Sequence, residues 1–196
     1  MRHSFKLPVV LLVVLLGPVV SPVQGQGRVQ PHALWFRGTV GMARLHQECQ
    51  GCIASGVSTS TNLNLTIGYA WPGLALGIEY AMIRDQDSDV RQRLYFLTGS
   101  WYPFARAGAF IKVGVGASDY LGLRTADGVM QERGSGVAGQ FELGIDLSMG
   151  DIAITPLVSF QYAHQNSTAF QGIGFLEKSR GLSQWNVGFA VGLTVL

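Results

Sequence analysis

Charge is scarce in this chain: Asp, Glu, Lys and Arg make up 13% of its 196 residues, about half the share of an ordinary soluble domain. So little charge would leave a water-facing surface of this size poorly covered. Cysteine is scarcer still, with only Cys49 and Cys52, which excludes a disulfide-dense scaffold. Beyond the first 25 residues no run of 18 apolar residues occurs, so no membrane-crossing helix is expected there. No metal cluster, phosphate loop or cofactor motif is present, and neither a metal nor a cofactor is expected.

The first 25 residues read as a signal peptide. Arg2, His3 and Lys6 form a basic start, 7–20 is an apolar run broken by Pro8, Gly17 and Pro18, and Val23-Gln24-Gly25 supplies a cleavage site. The run is short and interrupted for a membrane anchor. Loss of Arg2 and Lys6 lowers Lys plus Arg from 14 to 12, against 12 Asp plus Glu. The basic balance therefore belongs to the precursor and does not argue for nucleic-acid binding. Residues 26–33 are expected to be a short periplasmic lead into the fold, and 34–196 a single domain.

What is abundant is glycine, 26 residues in all, close to twice the usual ~7%, and alternation of period two. In 185–196, Trp185, Val187, Phe189, Val191, Leu193 and Val195 fall on one parity and Asn186, Gly188, Ala190, Gly192 and Thr194 on the other. A strand sends successive side chains to opposite faces, so this is a strand with one large apolar face and one small or polar face. The same pattern recurs in 34–44, 61–71, 74–83, 91–102, 108–118, 136–147 and 152–164. In 91–102 both parities carry apolar residues, and its facing stays open. Each segment suits a tilted strand crossing a bilayer.

The connections alternate in length. Those at 45–60, 84–92, 119–135 and 165–183 are long, whereas Pro72-Gly73, 103–107 and 148–151 are short. Outer-membrane barrels have short periplasmic turns and long outer loops, so both termini are expected in the periplasm. Trp71, Trp101, Tyr102 and Phe104 near the short turns, and Tyr80, Tyr120, Phe160, Tyr162 and Trp185 nearer the long links, resemble interfacial aromatic girdles.

A soluble eight-stranded barrel would use the same alternation with its faces reversed. Its surface would then be the Gly, Ala, Thr and Asn parity, with too little charge for water. A narrow barrel interior, by contrast, gives the glycines a purpose. The fold class expected is all-β, an eight-stranded antiparallel up-and-down transmembrane barrel.

On this topology, on Ala109-Phe110-Ile111-Lys112-Val113-Gly114-Val115-Gly116 and on the final strand, the chain resembles the small eight-stranded outer-membrane barrels of the OmpA/OmpX-like group, barrel domain only. Asn186, Gly188, Val191 and Leu193 match the pattern that outer-membrane assembly machinery reads, although many members end in Phe and this chain in Leu196. The resemblance implies a monomer in the outer membrane, in contact with its lipids, lipopolysaccharide and that machinery.

Arg37, Glu79, Lys112, Glu142 and Asp146 fall on the interior parity of their strands. Charges inside a narrow barrel must pair, so an ion-pair network plugging the lumen is expected, with a gated pore or proton path as the competing use. Cys49 and Cys52 form a C-x-x-C in the first long link. A disulfide pinning that loop is expected, since zinc would need more ligands than His46 and Glu48 supply and no thioredoxin-like fold surrounds the pair. His164, Ser167 and Glu177 are the candidate catalytic residues, because a lipid A deacylase among such barrels has a His/Ser/Glu set. That family's His-x-Ser is one residue longer here, which puts the match in doubt. Phe170, Ile173, Phe175 and Leu176 in the last link are apolar groups suited to a partner, the membrane or neighbouring loops. The role expected is structural or surface interaction through the outer loops with an unidentified extracellular ligand. A lipid-A-modifying enzyme and a narrow pore are the alternatives.

Overall fold

The computed structural model describes residues 33–48, 56–86, 89–104, 107–125, 129–171 and 174–195, with the backbone alone for 89, 123–125, 129–132, 167–171 and 174–181. The segment read as a signal peptide, and both Cys49 and Cys52, lie outside the described residues. The elements are strands throughout: β1 Ala33–Glu48, β2 Gly56–Trp71, β3 Leu74–Asp85, β4 Asp89–Phe104, β5 Ala109–Thr125, β6 Val129–Ile145, β7 Leu147–Met149, β8 Ile152–Gln171 and β9 Gly174–Val195.

Sequence neighbours pair antiparallel, and β9 returns to β1, from Phe36 opposite Val195 to Glu48 opposite Ser183. Both β6 and β7 pair with β8 in one register, Gly144 with Leu157 and Leu147 with Ile154. They are thus a single stave interrupted at Asp146. That register sets Pro156 beside the break, and proline brings no N–H to the ladder. Counted so, eight staves close into a barrel with no edge strand. At one end the turns are tight: Gly73 (φ +77°) joins β2 to β3 and Gly150 (φ +71°) joins β7 to β8, each in the left-handed region that glycine enters without steric cost.

At the other end the strands run well past the alternating segments. β8 continues to Gln171, β9 begins at Gly174, and β5 and β6 leave only 126–128 between them. The long links expected at 119–135 and 165–183 are for most of their length paired strands. Alternation reports what each face meets, whereas the ladder needs only backbone partners. Once the outward face leaves lipid the pattern fades, although the hydrogen bonds continue.

The apolar parity faces out. Ile78 is 63% exposed, Leu97 65%, Val115 70% and Phe189 62%, and similar residues stand outward on every long strand. A soluble monomer rarely exposes more than a few hundred Å² of contiguous apolar surface, and an encircling belt of this kind is a lipid-facing wall. The open question of the fourth strand is settled, because Gln92, Leu94, Phe96, Thr98 and Ser100 point into the lumen and Arg91, Arg93, Tyr95, Leu97 and Trp101 outward. Two girdle residues move with it. Tyr102 and Tyr120 lie on inward parities and are buried in the lumen. Trp101, Phe104, Phe160 and Tyr162 do stand on the outer wall.

Replacing Val115 by Lys tests the lipid-facing assignment. In lipid vesicles the substitution should lower unfolding stability by about 2–4 kcal/mol, the cost of a cation near the bilayer midplane. On a water-facing wall it would be close to neutral, and urea titration of the vesicle-inserted protein distinguishes the two.

Candidate functional site

The lumen is filled in layers. Nearest the tight turns, Arg37 on β1 is fully buried and its guanidinium is held on several sides. Nη2 donates to both carboxylate oxygens of Asp146, at 3.0 and 2.9 Å, and to Tyr102 Oη at 3.2 Å, while Nε donates to Thr194 Oγ1 at 2.8 Å. Tyr102 donates to Asp146 Oδ2 at 3.0 Å and Thr155 to Oδ1 at 2.6 Å. The guanidinium carbon lies over the rings of Phe110, 4.3 Å from its centroid, and Trp35, 5.1 Å from its centroid, both positioned for cation–π attraction. The Phe110 ring fits because its cross-strand neighbour is Gly144, where a methyl group would fall 2.5 Å from Phe110 Cζ.

Further in, Lys112 on β5 bridges two carboxylates. Its Nζ lies 2.5 Å from Glu79 Oε2 and 2.6 Å from Glu142 Oε2, the latter an ion pair whose angle falls outside hydrogen-bond geometry. Thr66 donates to the same Glu79 oxygen at 2.7 Å. Lys112 and Glu142 are direct cross-strand partners, as are Thr66 and Glu79. All five predicted lumen charges are therefore brought together, in two groups: Arg37 with Asp146, and Lys112 with Glu79 and Glu142.

Two features of the interior were not anticipated. One is an amide layer, in which Asn186 Nδ2 donates to Asn62 Oδ1 at 3.1 Å and to Gln161 Oε1 at 3.4 Å, with Gln140, Gln165 and Gln184 also buried inward. The other is an apolar plug of Leu45, Ala81, Ile83, Leu94, Phe96, Ala138 and Ala163 toward the tall end. Its signal was the second apolar parity of 91–102, where Leu94 and Phe96 alternate with Tyr95 and Leu97. The space between Leu45, Ile83, Leu94, Gln161 and Asn186 has no room for a water molecule.

Of the three candidate catalytic residues, only His164 has a described side chain. His164 points outward from β8, and its Nδ1 lies 3.0 Å from Ser183 Oγ on β9. The backbones of Ser167 and Glu177 pair with Arg180 and Ala169, and their side chains lie outside the described residues. Among the described residues the hydroxyl that meets His164 is that of Ser183, a residue sequence spacing could not connect to it. Tyr162 donates to the same oxygen at 3.5 Å. Glu48, also on the outer wall, bonds His46 Nε2 at 2.9 Å, and the His46 ring stacks on Trp185 at 4.9 Å. Among the described residues no carboxylate contacts the imidazole of His164.

Of the four residues matched to the assembly pattern, Asn186 and Gly188 face the lumen and Val191 and Leu193 face outward. A side chain at Gly188 would collide with Ala43 of β1, so this glycine keeps the closing pair of strands close.

Among solved structures the chain is similar to Neisserial surface protein A, with a TM-score of 0.56 at 9% sequence identity over 85% of this chain and 99% of that one. It is also similar to the outer membrane protein AlkL as determined in lipid bilayers, with a TM-score of 0.50 at 14% identity over 83% of this chain and 90% of that one. The fold is that of a small eight-stranded outer-membrane β-barrel. At these identities the likeness is one of fold. No protein-family model and no curated protein matches the sequence.

In such a barrel the lumen has to be filled, and here ion pairs fill much of it. Lys112→Met should cost about 3–5 kcal/mol, because Glu79 and Glu142 would be left buried together without their cation. Adding Glu79→Gln and Glu142→Gln to that variant should recover most of the loss. Urea unfolding of the two variants checks both statements, and equal stabilities would show that the charges are not coupled.

Proposed function

We propose that this chain is an outer-membrane protein of structural or surface-interaction type, a rigid membrane anchor that presents its tall strand pairs to the exterior. The observation that carries this reading is the filled lumen, which the Arg37 group, the Lys112 group, the buried amides and the apolar plug occupy together. A barrel packed in this way offers no continuous path for solute. What remains free for interaction is the outer end, where β5, β6, β8 and β9 extend beyond the apolar belt. The alternation of tight turns with tall ends supports both termini in the periplasm. The pattern at Asn186, Gly188, Val191 and Leu193 supports delivery by the outer-membrane assembly machinery.

Reconstitution in planar bilayers should give no discrete conductance steps, and protease added to intact cells should cut between β5 and β6 while sparing the Pro72-Gly73 turn. Regular steps would replace this reading by the narrow-pore alternative. Cleavage at Pro72-Gly73 instead would invert the orientation.

One observation favours a second reading. Ser183 and His164 stand within hydrogen-bond distance on the lipid-facing wall, the relation that a nucleophile and its general base require. With an ester-linked acyl chain of an outer-leaflet lipid as substrate, Ser183 Oγ would attack the carbonyl while His164 takes its proton. The ester C–O bond would break as His164 returns that proton to the departing alcohol oxygen, and water would then hydrolyse the acyl-serine to free the fatty acid. Lipid mass spectra from cells carrying the wild-type chain or Ser183→Ala decide it. Identical spectra leave the structural role standing, whereas a deacylated lipid that disappears with Ser183→Ala establishes the enzyme.

A further inference from the structure

The outer wall holds a concentration of positive charge that the lumen network does not use. Arg84 on β3, Arg91 and Arg93 on β4 and Arg133 on β6 all face outward. The strand registers gather them. Arg84 lies opposite Arg91, Arg91 opposite Leu121 and Leu121 opposite Arg133, while Arg93 lies opposite Asp119 one outward position below. With strands about 4.8 Å apart, Arg91 and Arg133 are separated by roughly 10 Å at the backbone. Arg91, Arg93, Asp119, Arg133, Ser135 and Asn166 line a cleft of about 630 Å³. Among the residues whose side chains are described, Asp119 is the single carboxylate lining this cleft and none of the four arginines forms an ion pair.

The height of the cluster matters as much as its charge. The next outward residue below Arg93 is Tyr95, whose ring packs against Tyr80 at 5.5 Å, and below these come Leu97 and Ile78. The arginines therefore stand where the apolar belt and its aromatic rim end, on the side of the tall strand pairs. Four cations this close repel one another, and an anion between them converts repulsion into attraction. Guanidinium matches phosphate with paired, charge-assisted hydrogen bonds. The apolar wall directly beneath adds a surface for acyl chains, which a free anion would not use.

We infer that this cleft binds the phosphate groups of an outer-leaflet glycolipid whose acyl chains lie along the wall below Tyr80 and Tyr95. The inference rests on the outer-membrane location proposed above. Its ligand is a membrane-embedded lipid, and free phosphate is the competing source to be tested.

The experiment uses the full chain folded into phosphatidylcholine vesicles doped with bisphosphorylated lipid A or with its dephosphorylated form. Detergent extraction and mass spectrometry then report the lipid that stays bound. The bisphosphorylated lipid should be retained on the order of tenfold more strongly, as the loss of a few charge-assisted hydrogen bonds implies. Combining Arg91→Gln, Arg93→Gln and Arg133→Gln should abolish that preference, whereas Arg44→Gln, on the outer wall of β1, should keep it. A difference in gel mobility between unheated and heated samples certifies that each variant has inserted and folded. Equal retention of the two lipids, an undiminished preference in the triple variant, or full displacement by millimolar inorganic phosphate would overturn the inference while leaving the barrel reading intact. A wild-type chain whose mobility ignores heating would overturn the barrel reading itself, and the lipid site with it.

Discussion

Closing the sheet, with β9 laid against β1 from Phe36 opposite Val195 to Glu48 opposite Ser183, is the constraint from which the other features of this molecule follow. In hydrocarbon no water is present to take up a free N–H or C=O, and each unsatisfied group costs several kcal/mol. A sheet can cross lipid only if its two edges find each other. Gly188 shows how narrow the tolerance is at that seam, since any side chain there would strike Ala43. Once the ring is closed, every strand has one face toward lipid and one toward a space just wide enough for side chains. The composition follows from that division: the scarcity of charge, the excess of glycine and the uniform apolar exterior.

The interior then poses a second problem, because a narrow lumen must be filled and charge placed there must be matched. Arg37 answers it by donating to Asp146, Tyr102 and Thr194, with the Phe110 and Trp35 rings close to its guanidinium. Lys112 answers it by spanning two glutamates contributed by different strands. The apolar plug of Leu45, Ile83, Leu94 and Phe96 uses no charge at all. A lumen so occupied directs attention to the outer wall and the tall end, and both the His164–Ser183 contact and the arginine cluster lie there. Neither belongs to the packing that holds the barrel together.

Much of this was legible in the chain, and the parts that were not share a cause. Alternation identified the strands because lipid on one face and a crowded lumen on the other leave opposite imprints on successive residues. It also put Arg37, Glu79, Lys112, Glu142 and Asp146 inside, since parity alone decides facing. It did not reveal that Tyr102 and Tyr120 turn inward, because an aromatic near a strand end reads the same in a girdle and in a plug. Nor did it reveal how far β8 and β9 extend, because ladder hydrogen bonds leave no mark on side-chain polarity where neither face meets lipid.

Where alternation is clean the sequence by itself determined which face meets lipid and which the lumen, and hence that the chain forms a transmembrane barrel, because period two and residue size are local properties. Which residues meet one another was decided only by the tertiary structure. Arg37 and Asp146 are far apart in the chain, as are Lys112 and Glu79, and only the registers of eight staves set these partners side by side. The same registers joined His164 to Ser183, and gathered arginines from β4 and β6 into one cleft. Register is fixed by the closure of the whole ring, a condition that no single strand carries in its own residues.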